Sequence, residues 1–250
     1  MAAHGLIDTT EMYLRTVFEL TEEGIVPLRA RIAERLSQSG PTVSETVARM
    51  ERDGLLTVID NRRLSLTDEG LRLATRVMRK HRLAECLLVD VIGLPWEEVH
   101  IEACRWEHVI SDSVERRLAD LLHYPVRCPH GNVIPGLAEL DVPDVAVDGA
   151  QAAAEQRDQA MTAIAAAEPV HVIVQRISEQ LQSDAALMLK LKNIGIQPGH
   201  EVTLVAGETD VRVTSAGTDG GSLDVSVSSP PRVATLPYDI AAHVFVAELS

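Results

Sequence analysis

The sequence has few cysteines, no long apolar run and a shortage of basic residues. Three cysteines in 250 residues (Cys86, Cys104 and Cys128) are too few and too scattered for a disulfide framework. No window of about 18 apolar residues occurs, so the sequence predicts no membrane span. The N-terminus lacks the basic region and apolar run of a signal peptide. We therefore expect a soluble, cytoplasmic protein with no membrane partner.

The acidic balance would argue against a nucleic-acid partner if the charge were evenly distributed. The 23 basic and 37 acidic residues give a formal net charge of −14, of which −9 lies after residue 140. Residues 28–66, by contrast, contain seven arginines and five acidic residues. The overall charge therefore does not exclude DNA binding by the N-terminal part of the chain.

The N-terminal part has the order of elements of a winged helix-turn-helix. Apolar periodicity predicts a helix ending near residue 20, a second over 28–36 and a third over 41–52. Residues 37–40 form the short turn before the third helix. Two apolar runs, 55–59 and 64–66, flank a polar turn and predict a β-hairpin. Helix, helix, turn, helix and hairpin in this order are typical of a winged helix.

The rest of the chain changes from helical to β-rich patterning. Long helices are predicted over 68–92 and 95–122, followed by an irregular connector over 125–148 and an Ala-rich stretch that is either helical or a flexible link. From residue 170, short alternating strands and Gly-rich turns predict a small barrel, with strands over 170–177, 201–207, 210–215, 222–228 and 243–249. We therefore divide the chain into a winged-helix region (1–75), a helical region (76–142), a linker (143–169) and a C-terminal β-domain (170–250).

The third helix has an outer face suited to reading DNA. Short polar groups that reach base edges and arginines that reach phosphates are typical of a recognition helix, and this face presents Thr42, Ser44, Glu45, Arg49 and Arg52. Arg62 and Arg63 at the hairpin tip would reach the flanking backbone. The alternative is an ordinary solvated face on which Glu45 and Arg49 form an i,i+4 pair.

A metal-ligand pattern lies on the predicted helix over 95–122. At helical spacing, four potential ligands share a stripe about 100° wide: His100, Cys104, Glu107 and His108. His81 and Glu85 share a face of the preceding helix, and two antiparallel helices would bring both sets together. Imidazole, carboxylate and thiol are ligands of first-row metals. A Cys–His nucleophile pair is the alternative, which the absence of an oxyanion-site pattern disfavours.

Several stretches also resemble a known family. They are DTTEMYLRT, RARIAERLSQSGPTVSETVARMERDGL, VMRKHRLAE, EACRWEHVISDSVERRL and IPGL. The chain resembles the iron-dependent repressors of the diphtheria toxin repressor family over about its first 140 residues. The C-terminal part is similar mainly through SEQLQ and DIAAHVFVAEL. The resemblance implies a multidomain α+β fold. Its implied parts are a winged helix-turn-helix DNA-binding domain (1–75), a helical dimerisation and metal-binding domain (76–142) and, after the linker, a C-terminal SH3-like small β-barrel (170–250).

The resemblance also implies two metal sites per subunit. The implied primary site consists of Met12, Cys104, Glu107 and His108. The implied ancillary site consists of His81, Glu85, His100, Glu179 and Gln182. Met12 enters only through the resemblance, since a lone Met in a first helix is usually core filler. In the family, Met with Cys marks regulators that respond to Fe²⁺; Co²⁺, Ni²⁺, Zn²⁺ or Mn²⁺ is expected to substitute in vitro.

The implied function is an Fe²⁺-activated homodimeric repressor of iron-uptake genes that binds a pseudo-palindromic operator as one or two dimers, and not an enzyme. The DNA contacts carried over are Thr9, Arg29, Ser39, Pro41, Thr42, Ser44, Arg49, Arg52 and Arg62. Glu45 departs from the Gln that the family usually has, and an ionised carboxylate repels phosphate although it can accept from cytosine. A Mn²⁺-responsive regulator and a metallohydrolase are the alternatives.

Overall fold

Helices and a small hairpin dominate the N-terminal half of the chain, and an antiparallel sheet dominates the C-terminal half. The computed structural model describes residues 2–140, 142–155, 158–215 and 232–249. The chain forms two units: unit 1 contains Met1–Leu87, Glu102–Pro125 and Ile134–Val147, and unit 2 contains Leu88–Ile101, Val126–Val133 and Asp148–Ser250. Within the described ranges, no helix has both the length and the apolar character needed to cross a membrane.

Unit 1 begins with the predicted winged-helix order. Its first elements are α1 (Ala2–Glu22), α2 (Arg29–Arg35), α3 (Gly40–Arg52), β1 (Leu56–Ile59), β2 (Arg63–Leu66) and α4 (Asp68–Leu87). β1 and β2 pair antiparallel from Leu56↔Leu66 to Ile59↔Arg63, so the predicted hairpin is confirmed. Ser39 starts α3 as its N-cap, with Oγ accepting from the Thr42 amide.

The core of this region comes from apolar residues at helical spacing. Its fully buried members are Tyr13, Leu14, Val17, Leu20, Ile32, Val43, Val47, Met50, Leu56, Leu64 and Ala74. Gly70, at the start of α4, lies so close to Leu55 that an added Cβ would meet the Leu55 carbonyl oxygen at 1.8 Å. The first turn of α4 therefore packs against the hairpin only because this residue has no side chain.

The predicted single helix over 95–122 is wrong. The structure has α5 (Val99–Trp106) and α6 (Asp112–Leu121), separated by a turn. Ser111 starts α6 as an N-cap whose Oγ accepts from the Val114 amide at 3.4 Å, and this cap favours a new helix start over continuation. The long helix predicted over 68–92 forms as α4 followed by a π-helical turn, Leu88–Ile92.

Unit 2 contains a six-stranded antiparallel sheet in the order β3-β8-β4-β5-β6-β7. The remaining elements are α7 (Asp144–Glu155), β3 (Gln159–Ala160), α8 (Met161–Ile164), β4 (Val170–Ile177), α9 (Glu179–Gln182), α10 (Ala185–Ile194), β5 (Glu201–Ala206), β6 (Asp210–Ser215), β7 (Arg232–Pro237), α11 (Tyr238–Ala241) and β8 (Val244–Glu248). Alternate residues of β4, Val172 and Val174 among them, are fully buried in the core of the unit, as expected for a strand with one apolar face.

The sequence predictions for this region are partly confirmed. The strands predicted over 170–177, 201–207, 210–215 and 243–249 form, whereas the one over 222–228 lies outside the described residues. β3, β7 and α10 were not predicted. The irregular connector predicted over 125–148 is wrong at its end, because α7 begins at Asp144, directly after Pro143. The Ala-rich stretch is helical at its start, within α7.

Candidate DNA-reading helix and metal centre

The outer face of α3 is open to solvent, while its inner face is buried. Val43, Val47 and Met50 point into the core. The exposed or partly exposed polar face, called the reading face below, consists of Pro41, Thr42, Ser44, Glu45, Arg49 and Arg52. The reading face is therefore set by the apolar period of the helix, as the sequence predicted.

The ion pair that would make this face an ordinary solvated surface does not form. No salt bridge joins Glu45 and Arg49 within the described part of the chain, and Arg49 Nη2 is buried without a hydrogen-bond partner there. Ser39 is engaged locally, because its Oγ lies 2.7 Å from Thr42 Oγ1 as well as capping the helix. The charge of Arg49 is thus not neutralised by Glu45.

A groove of about 610 Å³ runs beside the reading face. It is lined by Leu28, Arg29, Ala30, Gly40, Ser44 and Arg62. Arg62 ends a short 3₁₀ turn at the hairpin tip and has a left-handed backbone, with φ of +66°. The hairpin tip therefore presents an exposed arginine. The backbone of this arginine has a conformation that few non-glycine residues adopt. Thr9, the remaining predicted DNA contact, lies on α1 and is half-buried.

Three predicted primary ligands lie beside α1. Cys104 lies on α5, and Glu107 and His108 follow in the turn after it. Arg15 of α1 donates through Nη1 to Cys104 Sγ at 3.2 Å and to the two oxygens of Glu107 at 2.9 and 2.8 Å. Glu11, also of α1, lies 2.6 Å from His108 Nδ1 through its Oε2. Both ends of the ligand set therefore contact the first helix.

Met12 lies between these two contacts along α1 and is 37% exposed. Sequence reasoning missed Glu11 and Arg15, which flank it. Their i,i+4 spacing places them on one helix face, but it does not indicate which distant groups they contact. Glu11 on the His108 ring also resembles the carboxylate–imidazole contact that orients histidines bound to metals.

The predicted ancillary residues on α4 adjoin the same place. His81 Nδ1 lies 2.6 Å from Glu107 Oε2, and His81 Nε2 lies 3.1 Å from Glu85 Oε1. His81 and Glu85 are almost completely buried. Below, the charged cluster means Glu11, Arg15, His81, Glu85, Cys104, Glu107 and His108. Glu107 connects the two predicted ligand sets within unit 1.

The charges of the cluster are strongly coupled. Burial on its own raises the pKa of Glu107, but Arg15, His81 and His108 together lower it to about 2. Burial and Arg15 act to lower the pKa of His81, yet Glu85 and hydrogen bonds to Cys104 and Glu107 raise it well above its usual value. Burial also opposes the charge of Arg15, but Glu107, Cys104 and Glu19 raise its pKa. Glu107 therefore lies between two cationic partners.

The other three predicted ancillary residues belong to unit 2. The division between the units falls within α5, after Ile101, so His100 is assigned to unit 2. His100 of α5 and Glu179 and Gln182 of α9 are all buried. Gln182 Nε2 donates to the Ile177 carbonyl at 2.7 Å, while its Oε1 is buried without a hydrogen-bond partner in the described residues. An unsatisfied buried carbonyl oxygen is an available cation ligand.

Two family models match the chain in succession. Residues 5–64 match the N-terminal DNA-binding domain of iron-dependent repressors, and residues 67–136 match their metal-binding and dimerisation domain. The chain belongs to the iron-dependent repressor family. The two matches assign DNA binding to the region of the reading face, and metal binding and dimerisation to the region of α4 to α6.

Full-length relatives and solved structures agree with this assignment. The chain is 52% identical to the iron-dependent repressor IdeR of Mycobacterium tuberculosis, over 98% of this chain and 99% of the relative. It is 51% identical to the diphtheria toxin repressor of Corynebacterium diphtheriae, over 88% of this chain and 94% of the relative. A manganese-dependent transcriptional repressor in complex with manganese superposes with a TM-score of 0.75 and 27% identity, covering 96% of this chain and all of that one. These similarities confirm the predicted fold class, including the SH3-like C-terminal sheet.

Proposed function

We propose that this chain is an Fe²⁺-activated, homodimeric, DNA-binding repressor of genes for iron uptake and homeostasis. The observation that carries the proposal is the position of Cys104, Glu107 and His108 against α1, in the same unit as the reading face. A ligand at this point acts directly on the helix that begins the winged-helix domain. Ligand binding can favour a DNA-competent arrangement only through such differential contacts.

The donor set fits a divalent first-row metal. Thiolate, carboxylate and imidazole from one short segment, together with the thioether of Met12 from α1, are the mixed soft and borderline ligands that such ions accept. The proposed primary site is Met12, Cys104, Glu107 and His108, and the proposed ancillary site is His81, Glu85, His100, Glu179 and Gln182. The metal would supply positive charge and coordination bonds that join α1 to the end of α5.

The choice of Fe²⁺ rests on the donor set and on the relatives. Cys104 and Met12 are soft donors, and relatives at about half identity over nearly the whole chain are named iron-dependent. We expect Co²⁺, Ni²⁺, Zn²⁺ and Mn²⁺ to substitute in vitro, because geometry and availability rather than affinity select among these ions.

The reading face is proposed to enter the major groove of a pseudo-palindromic operator. Thr42 and Ser44 would meet base edges, and Arg49 and Arg52 would meet phosphates. Thr9, Arg29, Ser39, Pro41 and Arg62 complete the proposed contact set. Two winged helices related by two-fold symmetry would read two half-sites, and one or two dimers would occupy an operator.

A gel shift on an iron-box duplex tests the proposal. Full-length protein is assayed anaerobically with Fe²⁺, with Mn²⁺ and with chelator. We expect retardation with metal and little with chelator. Cys104→Ala should lose the metal dependence, whereas Cys86→Ala, which removes a buried cysteine outside the proposed ligand sets, should keep it. Equal binding with metal and with chelator would contradict the proposal.

A manganese-responsive regulator of the same fold is the second candidate. It is favoured by the manganese named in a solved relative that covers almost the whole chain. The concentrations of Fe²⁺ and Mn²⁺ that give half-maximal DNA binding separate the two candidates. The metallohydrolase alternative is not retained, because the family consists of transcriptional repressors.

A further inference from the structure

Arg15 lies where two of the proposed ligands approach α1. A single nitrogen, Nη1, contacts the sulfur of Cys104 and both carboxylate oxygens of Glu107 within 3.2 Å. The Arg15 side chain is only 11% exposed, and that of Glu107 is 1% exposed. A largely buried guanidinium therefore supplies positive charge to this carboxylate and a hydrogen bond to this sulfur.

A divalent ion bonded to the same two ligands competes with this arrangement. Bonds from such ions to thiolate sulfur and carboxylate oxygen are about 2.0–2.3 Å long. An ion bonded to the Cys104 sulfur and to a Glu107 oxygen needs the space that the Arg15 guanidinium now occupies. The ion and the guanidinium are both cations, and two cations so close together away from water repel strongly. Cys104 and Glu107 can therefore bind either Arg15 or the ion, but not both at once.

We propose that Arg15 is the internal counter-cation of the metal-free site, that the metal must displace it from Cys104 and Glu107, and that Arg15 thereby sets the metal concentration at which the protein responds. This inference rests on the proposed function of the Cys104 site. It makes Arg15 a residue that determines the response threshold without being a ligand.

The ion pairs around Arg15 extend toward the helix-turn-helix. Arg15 Nε donates to Glu19 Oε1 at 2.6 Å, one turn further along α1. Glu19 Oε2 also lies 3.6 Å from Nη1 of Arg35 in α2, and Arg35 pairs with Glu23 at 2.5 Å. Displaced from Glu107, Arg15 keeps Glu19 as a partner, and Glu19 is shared with Arg35. The step that admits the metal thus acts on a chain of ion pairs that extends to α2.

Titration of the full-length protein with Co²⁺ alone tests the inference. Thiolate-to-cobalt absorption reports on Cys104, and the titration gives the dissociation constant without any DNA assay. Arg15→Gln and Arg15→Met remove the charge, and Arg15→Lys keeps a charge but loses the planar fork of donors. Arg72→Gln, which breaks an exposed pair with Glu69, is the matched control.

We expect the two neutral variants to bind Co²⁺ at least about ten-fold more tightly than the wild type. Arg15→Lys should have a dissociation constant between theirs and that of the wild type. Arg72→Gln should keep the wild-type dissociation constant. Circular dichroism in chelator identifies the variants that fold. Equal or weaker binding by a folded neutral variant overturns the inference. If neither neutral variant folds, Arg15→Lys decides, since equal or weaker binding by this variant also overturns it.

The same titration separates this inference from the proposed function. If the wild type shows no absorption that depends on Cys104, the proposed metal site fails and the inference fails with it. If the wild type shows that absorption and the variants keep the wild-type dissociation constant, only the role of Arg15 is overturned.

Discussion

The reading face and the charged cluster belong to the same unit but hold their polar side chains in opposite ways. Most of the reading face is exposed, and its glutamate and nearby arginine, Glu45 and Arg49, form no ion pair with each other. The centre of the charged cluster, formed by His81, Glu85 and Glu107, is buried. Glu107 contacts Arg15, His81 and His108 at once. The reading face therefore offers its polar groups directly to a partner. The polar groups of the charged cluster are already paired with one another.

This difference separates two kinds of recognition. A ligand of the reading face replaces water, so its contacts follow from the spacing of side chains on a rigid helix. A ligand of the charged cluster replaces protein partners, so its affinity is the difference between its own bonds and the ion pairs it breaks. We therefore expect substitutions in the cluster to change the stability of the fold, and substitutions on the reading face to change DNA binding alone.

The largest effect is expected from Glu107→Gln in metal-free protein. The change removes the anion between Arg15 and His81 and leaves buried cations without their partner, which costs about 3–5 kcal/mol. Urea unfolding in chelator measures the loss. Glu69→Gln, which breaks the exposed pair with Arg72, should cost less than about 1 kcal/mol. Equal losses in both variants would remove the distinction between the cluster and an ordinary surface pair.

The pH dependence of stability gives the next largest effect. The pKa of Glu107 is about 2 in the folded chain and near 4.5 in an unfolded one, so the unfolded state binds the proton first as the pH falls. This contribution is complete above about pH 4.5 and is lost as the pH falls toward 2, amounting to about 3 kcal/mol. Urea midpoints between pH 6 and pH 3.5 should fall more steeply for the wild type than for Glu107→Gln. Parallel curves would show that Glu107 is not stabilised by its cationic partners.

The two regions also differ in how much of them the sequence could predict. The reading face follows from local periodicity, because the burial of Val43, Val47 and Met50 determines which residues remain outside. The ligand types on α5 and in the turn after it could be recognised from spacing. The partners Arg15 and Glu11 could not, because they lie 89 and 97 residues from the groups they contact. Contacts between distant segments depend on how helices pack, which local spacing does not encode.

The same limit explains the wrong helix over 95–122 and the strands that were not predicted. Apolar periodicity continues across residues 107–111, but the Ser111 cap competes locally with helix continuation and wins. β4 could be predicted because apolar residues recur at alternate positions of its sequence, and much of its burial pattern follows the same alternation. β7 ends in Pro237 and lies at the edge of the described sheet, where its N-terminal residues are exposed, so it lacks the alternation that marks a half-buried strand.

A smaller effect, confined to DNA binding, is expected from Arg52→Gln on the reading face. Loss of one phosphate contact should weaken binding by about 1 kcal/mol on every sequence tested and reduce the slope of log affinity against log salt by about 1. Fluorescence anisotropy at several salt concentrations, in saturating metal, measures both. The urea midpoint should stay within about 0.5 kcal/mol of the wild type. A change in the salt slope by Glu107→Gln at saturating metal, with none by Arg52→Gln, would reverse the assignment of the two regions.

The smallest effect is expected from Glu45→Gln, which replaces the one acidic residue of the reading face. An exposed carboxylate near phosphates opposes binding, and the screened energies of exposed charge pairs correspond to a change of about two- to five-fold. Glu45→Gln should therefore bind an AT-containing operator two- to five-fold more tightly at low salt, and the gain should shrink as salt is added.

Glutamine can also donate to adenine, whereas glutamate can only accept, for example from cytosine. Anisotropy on duplexes that differ by one base pair at the contacted position separates these causes: repulsion predicts the same gain on every duplex, and base recognition predicts a gain on one. Weaker binding by Glu45→Gln on all duplexes would show that this carboxylate makes a favourable contact, and that the reading face is adapted to a different operator from that of relatives with glutamine.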